Sequence, residues 1–224
     1  MYDLAKSFDY ENGFYYTCES RRIAKIIAHY ELYKKIINLP GDVIEFGVFK
    51  GNSLIRLLAF REMLESQNSR KVIGFDTFAT FPQPPKENAF SDQAFVNFFS
   101  EHSGLPYNEN ELKSILDQKN FLNYELVGGD IMNTLPSFLN SNPALKLSLV
   151  HIDVDIYEPA KFILDHICEH LVNGALIIFD DYNIIHGETS AVDEFLEKHK
   201  GCVIKKLPIT HTACYCIWNP HEHN

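Results

Sequence analysis

The sequence predicts a doubly wound α/β domain, and three observations carry that reading. Short apolar runs rich in Val and Ile alternate with segments whose apolar residues recur at three- and four-residue spacing, so strands alternate with helices. The runs LSLVHIDVD (from Leu147) and ALIIFDDY (from Ala175) are apolar almost throughout, as strands covered by helices on both faces are. The last two runs, CVIKKL (from Cys202) and ACYCIW (from Ala213), are joined by a connection too short for a parallel crossover and must pair antiparallel. Seven such runs imply a mostly parallel seven-stranded sheet with an antiparallel C-terminal strand.

Residues 1–19 are aromatic-rich and read as irregular. From Ser20 to Asn38, Ile23, Ile26, Ile27, Tyr30, Tyr33, Ile36 and Ile37 fall at helical spacing, and Pro40 with Gly41 ends the helix. Glu31 and the acidity of the chain direct this helix to the domain or to a second subunit, not to a membrane. DVIEF (Asp42 to Phe46) is a strand, followed by a helix from about Ser53 to Ser66. KVIGFD (Lys71 to Asp76) is the second strand. Residues 77–120 form a partly helical insert broken by FPQPPKENAF; its Phe78, Phe81, Phe90, Phe95, Phe98 and Phe99 suit a lid over a site. YELVGG is the third strand, and TLPSFL opens a short helix. A helix from Pro159 to Leu171 joins the fourth and fifth strands, and Thr189 caps a helix running to His199. The whole chain, 1–224, reads as a single domain with a helical N-terminal extension over 1–40.

A net charge of −10 argues against a surface that binds nucleic acid or anionic membrane. No apolar run reaches the length of a membrane span, and the first residues lack a signal-peptide pattern. The five cysteines include no CxxC pair, which fits reduced thiols in the cytoplasm. The terminal His221 and His223 read as a solvated tail.

The densest chemistry lies between Leu149 and Tyr182. Asp153 and Asp155 follow one strand, and Asp180 and Asp181 end the next. Neighbouring strands lie about 4.8 Å apart, so these carboxylates can converge at the carboxyl edge of the sheet, where open α/β folds bind ligands. Carboxylates so close require a cation, and an all-oxygen donor set selects Mg²⁺, Mn²⁺ or Ca²⁺ over Zn²⁺. Capping of the following helix would explain Asp155 alone. His151 reads as a hydrogen-bonded core residue. His186 reads either as a loop residue or as a group that reaches an acceptor. Tyr182 and Glu158 read as supports around the ligands.

The first strand runs into E-F-G-V-F-K-G-N-S (Glu45 to Ser53), where Gly47 and Gly51 let the backbone approach a ligand. The pattern is not G-x-G-x-x-G, which weakens a dinucleotide reading. Asp76 ends the second strand, in position to accept hydrogen bonds from ribose hydroxyls or to cap the TFATF turn. Gly128, Gly129 and Asp130 end the third.

These residues resemble the macrocin O-methyltransferase family of S-adenosyl-L-methionine- and Mg²⁺-dependent sugar O-methyltransferases. GDVIEFGVFKGNS, GFDTFATFP, GGDIMNTLP, HIDVDIYEP and GALIIFDDY match its segments in order, from Gly41 onward. The resemblance implies a class I methyltransferase-like fold, Asp153, Asp180 and Asp181 as ligands of Mg²⁺ or Mn²⁺, and Asp155 as general base, with His186 a second catalytic candidate. It implies that Glu45, Gly47, Phe49, Gly51 and Ser53 hold the methionine part of the cofactor, Asp76 and Thr77 the ribose, and Asp130 with Ile131 the adenine, with Asp153 at the edge of the cofactor site. It implies a small-molecule acceptor, a sugar or glycoconjugate, and a homo-oligomer. The chain departs from the family at Phe49, Lys50 and Asn52, at Val154, and at Pro159 and Ala160, positions near the acceptor. An alternative reading of the aspartates is a metal-dependent hydrolase or phosphoryl-transfer enzyme, which leaves Asp76 and the glycine loop without a use.

Overall fold

A computed structural model of the chain describes residues 2–79, 89–211 and 213–220, with the side chains of 89–91 undescribed. In chain order the elements are α1 (Ser7–Thr17), α2 (Ser20–Tyr33), β1 (Asp42–Phe46), α3 (Asn52–Leu64), β2 (Val72–Asp76), α4 (Ala89–His102), α5 (Glu109–Gln118) and β3 (Tyr124–Gly128). There follow α6 (Ile131–Ser141), β4 (Leu147–Ile152), α7 (Tyr157–Ile167), β5 (Leu171–Phe179), α8 (His186–Lys198) and β6 (Cys214–Ile217). The strands lie in the order β3-β2-β1-β4-β5-β6, parallel except for β6, which runs antiparallel to β5.

Alternation along the strands builds two cores. Ile44 and Phe46 of β1, with Ile73 and Phe75 of β2, face α6, α7 and α8 through Leu135, Ile163 and Val192. Val43, Val72 and Leu149 face the other way, onto α2, α3 and α5 through Leu32, Leu58 and Leu112. Helices therefore cover both faces, as the continuous apolar runs require. The strand order reverses between β1 and β4, and the crevice beyond their carboxyl ends is where such a sheet admits a ligand.

Four expectations are corrected. The sheet has six strands among the described residues, not seven: CVIKKL contributes a single bridge, Lys205 to Tyr215. Lys205 and Lys206 are exposed and Pro208 follows at once, so this edge is cut short. The N-terminal residues form α1, preceded by a 3-10 turn at Leu4–Lys6. The helix buries no residue, so no apolar period marked it in the sequence. Thr189 lies inside α8 and does not cap it; its hydroxyl donates to the Ile185 carbonyl, and the helix starts at His186. Asp155 does not cap α7. The insert supplies both missing acceptors: Asp92 of α4 accepts from the N–H of Gly187 at 3.1 Å and of Tyr157 at 3.3 Å. Phe81, the side chain of Phe90 and the terminal histidines lie outside the described residues.

Candidate active site

A cavity of about 840 Å³ opens at the carboxyl ends of β1, β2 and β4. Its floor is the turn after β1. Gly47 has φ +90°, and a Cβ there would stand 1.8 Å from the carbonyl oxygen of Asp153, so only glycine lets this turn cross the end of β4. Asp76 holds the turn from the other side. One carboxylate oxygen accepts from the N–H groups of Val48 and Phe49, both at 2.8 Å, and the other from Phe78 N–H at 2.8 Å. The last bond is the turn cap anticipated as the alternative role of Asp76; the first two make Asp76 the brace of the glycine loop. Phe49, Ser53, Thr77, Asp130 and Ile131 all line the cavity. Asp130 also caps α6 by accepting from Met132 N–H at 3.0 Å. Phe95 and Phe99 of α4 form part of the wall, while Phe98 is exposed and points away.

Three expected contributors stand elsewhere. Glu45 is fully buried and turned into the core, where it accepts from His151 Nδ1 at 2.8 Å. His186 is exposed at the start of α8 and does not line the cavity. Gly51 does not line it either; with φ +76° it starts α3 beneath the loop, against Leu112.

The aspartates divide into two constellations. Asp153, Asp155 and Asp181 bring one carboxylate oxygen each to within 4.8 Å of one another. Asp180, beside them on the wall, faces Lys25, His29 and His151. Lys25 Nζ pairs with Asp180 Oδ2, His151 Nε2 lies 3.3 Å from Asp180 Oδ1, and His29 Nε2 lies 3.6 Å from the same oxygen.

The charge states follow. Burial, then the charge of Asp180, drives the Asp153 carboxyl well above its ordinary range. Asp155 is pushed up to about 8 by burial and then by Asp153, and Asp181 to about 9 by burial and then by Asp180. Asp155 and Asp181 share a hydrogen bond. Burial opposes the charge of Asp180 too, but Lys25 and His151 outweigh it and hold this carboxyl well below the usual range. Burial likewise opposes the Lys25 ammonium; Asp180 and Asp153 overcome it and raise the group above the lysine range. His151, buried between two carboxylates, is raised to about 10 despite desolvation by its bonds to Asp180 and Glu45, whereas desolvation lowers His29 to about 3.

Asp153, Asp155 and Asp181 fit a hard divalent cation: three hard oxygen donors converge, and all three acids are driven up by burial and then by neighbouring carboxylates, Asp180 among them. The cavity fits an adenosyl cofactor, with the Gly47 turn after β1, Asp76 at the end of β2 and the small Gly129 beyond β3 along its lining. The sequence did not reveal Lys25 and Arg56, which line the cavity, or the buried His29 and Glu188. Glu188 is fully buried and accepts from Asp181 N–H at 3.1 Å, fixing the loop that carries Asp181. Lys25 and His29 lie four apart on α2, a spacing that could have shown them on one face, but nothing local says that this face meets β5.

Comparison with known proteins agrees with this geometry. The family model described as Macrocin-O-methyltransferase (TylF) matches residues 16–219. Demethyldecarbamoylnovobiocin O-methyltransferase of Streptomyces niveus is 28% identical over 167 residues, 72% of this chain and 60% of that protein. Mycinamicin III 3''-O-methyltransferase of Micromonospora griseorubida is 28% identical over 166 residues, 72% of this chain and 62% of that protein. The chain thus spans about three fifths of the length of these relatives. Among solved structures, the calicheamicin methyltransferase CalS11 superposes with a TM-score of 0.79 at 27% identity, covering 92% of this chain and 83% of that one. The O-methyltransferase NovP, at 22% identity and a TM-score of 0.75, covers 88% of this chain and 80% of its own, and shares the fold. With more than half its length matched by the family model, the chain belongs to the macrocin O-methyltransferase family.

Proposed function

We propose that this protein is an S-adenosyl-L-methionine-dependent O-methyltransferase that methylates a hydroxyl of a sugar or another small diol with the help of a divalent cation. One observation carries the reading: the Asp153, Asp155 and Asp181 carboxylates open into the same cavity as the Gly47 turn, so a methyl donor on the turn and a hydroxyl at the carboxylates would meet. The names of the relatives support the acceptor class, since mycinamicin III 3''-O-methyltransferase and the TDP-rhamnose 3'-O-methyltransferase CalS11 are named for sugar positions or sugars.

In this reading Phe49, Ser53 and the Gly47 turn hold the methionine part of the cofactor, Thr77 and the braced Asp76 edge the ribose, and Asp130 with Ile131 the adenine. Asp153 and Asp181, joined by Asp155 or Asp180, would hold Mg²⁺ or Mn²⁺. When bound, the ion lowers the pKa of a coordinated hydroxyl and orients it. Asp155 is the base for the departing proton: it is buried at the cavity, beside Asp153 and Asp181. The Phe95 and Phe99 wall limits water at the reacting centre.

No helix among the described residues is long and apolar enough to cross a membrane. Five free cysteines support a reducing, cytoplasmic setting, and the exposed Phe8, Tyr15 and Tyr16 of α1 support a homo-oligomer. The test is transfer of a labelled methyl group to a panel of nucleotide-linked and glycosidic sugars, with EDTA and with added Mg²⁺. Metal-dependent labelling of a sugar hydroxyl is expected. Release of phosphate from the same panel without methylation would favour the hydrolase alternative.

A further inference from the structure

We propose that Lys25 is a tethered cation for the carboxylate cluster, which occupies Asp180 and competes with a divalent ion for it. The inference rests on the metal-assisted reading above and adds a residue that reading does not need. Lys25 stands on α2, 155 residues from its partner, and is the lysine the structure pairs with an aspartate of the cluster. Its side chain is 20% exposed and that of Asp180 4%, so the pair is withdrawn from water, where its attraction is screened least. Lys25 and all four aspartates of the cluster line the same cavity, so the ammonium shares the space an ion would enter.

The second oxygen of Asp180 is taken as well, at 3.3 Å from His151 Nε2. Both oxygens of Asp180 thus face cationic or N–H groups, while Asp153, Asp155 and Asp181 face one another. An ion that recruits Asp180 must first displace an ammonium held by a charge-assisted bond. An ion that does not is left with the other three. Breaking a buried pair leaves an uncompensated charge, so an ion that takes Asp180 requires Lys25 to move out of the cavity. The length and rotatable stem of a lysine side chain permit that movement, which a shorter cation would not make.

The test is a double-mutant cycle read by Mn²⁺ binding, with electron paramagnetic resonance counting free ion over metal-stripped full-length protein. Lys25→Met should lower the Mn²⁺ dissociation constant at least tenfold, because Asp180 becomes available. Measured against Asp180→Asn as its reference, Lys25→Met/Asp180→Asn should show no such gain. Lys25→Gln serves as a second neutral variant if the methionine variant does not fold, and it should show the same gain. Unchanged or weaker Mn²⁺ binding in both neutral variants would overturn the proposal, as would a gain that survives in the double mutant. Calorimetry with S-adenosylhomocysteine on the same preparations separates this failure from failure of the methyltransferase reading. Loss of the cation competition would leave cofactor binding intact.

Discussion

Gly47 and Asp153 are joined through a gap that no side chain can enter: a Cβ on Gly47 would lie 1.8 Å from the Asp153 carbonyl oxygen. The turn read as a cofactor loop and the strand end read as a metal site are thus one packed unit. Gly47→Ala should separate them. Overpacking costs about 1–3 kcal/mol, and a side chain in this left-handed backbone region adds roughly 1–2 kcal/mol. A fall of several degrees in Tm is expected, together with weaker binding of S-adenosylhomocysteine. Unchanged Tm and affinity would mean that the turn and β4 are not so closely packed.

Asp92 gives the second expectation. Its carboxylate accepts from Gly187 and Tyr157, so the insert helix α4 is fixed to the starts of α7 and α8. Hydrogen bonds to a charged group contribute about 1.5–3 kcal/mol each. Asp92→Ala should speed amide hydrogen exchange across α4, and across the first turns of α7 and α8, by at least tenfold. Faster exchange in α4 alone would show that the helix starts do not depend on it.

Much of the fold was legible because buried parallel strands leave continuous apolar runs, and those runs placed β1, β2, β3 and β4 within a residue, whereas β5 begins at Leu171, four residues before the run read for it. The candidate site was legible as far as it hung on strand ends: Asp76, Asp130, Asp153 and Asp181 all reach the cavity. What failed depended on partners distant in the chain. The acceptor that caps α8 is Asp92, 95 residues before Gly187, so Thr189 looked like the nearest cap. The roles of Asp180 and Glu45 are set by Lys25 and His151, which the sequence presents only as a helix lysine and a strand histidine.

The pH dependence of the metal-stripped protein has a definite sign. Asp155 and Asp181 are raised to about 8 and about 9 by burial and neighbouring carboxylates, and His151 to about 10 by Asp180 and Glu45. Each raised group binds a proton in the fold that it gives up on unfolding. The stability it contributes is fully present below its unfolded value, about 3.9 for Asp and 6.5 for His, and is lost as pH rises through 8 to 10. His29 and Asp180 are shifted downward and act only at acid pH. The Tm in EDTA should therefore fall between pH 7 and pH 10, and Mg²⁺ should flatten the fall by taking the place of the aspartate protons. A Tm that rises over this window would contradict these charge states.

Asp76 braces the loop through two N–H bonds at 2.8 Å. Asp76→Ala removes both, each worth about 1.5–3 kcal/mol, and should raise the dissociation constant for S-adenosylhomocysteine at least tenfold even if the ribose makes no direct bond to it. Methyl transfer should fall in step. An unchanged affinity would remove Asp76 from cofactor binding in either role.

The central claim is that the cavity at the carboxyl ends of β1, β2 and β4 is an adenosyl-cofactor site beside the carboxylate cluster. Calorimetric titration of S-adenosylhomocysteine into wild-type protein stripped of metal with EDTA tests it most directly. Micromolar binding, about −8 kcal/mol, with one site per chain is expected without any added ion. Absence of binding with and without Mg²⁺ would contradict the claim.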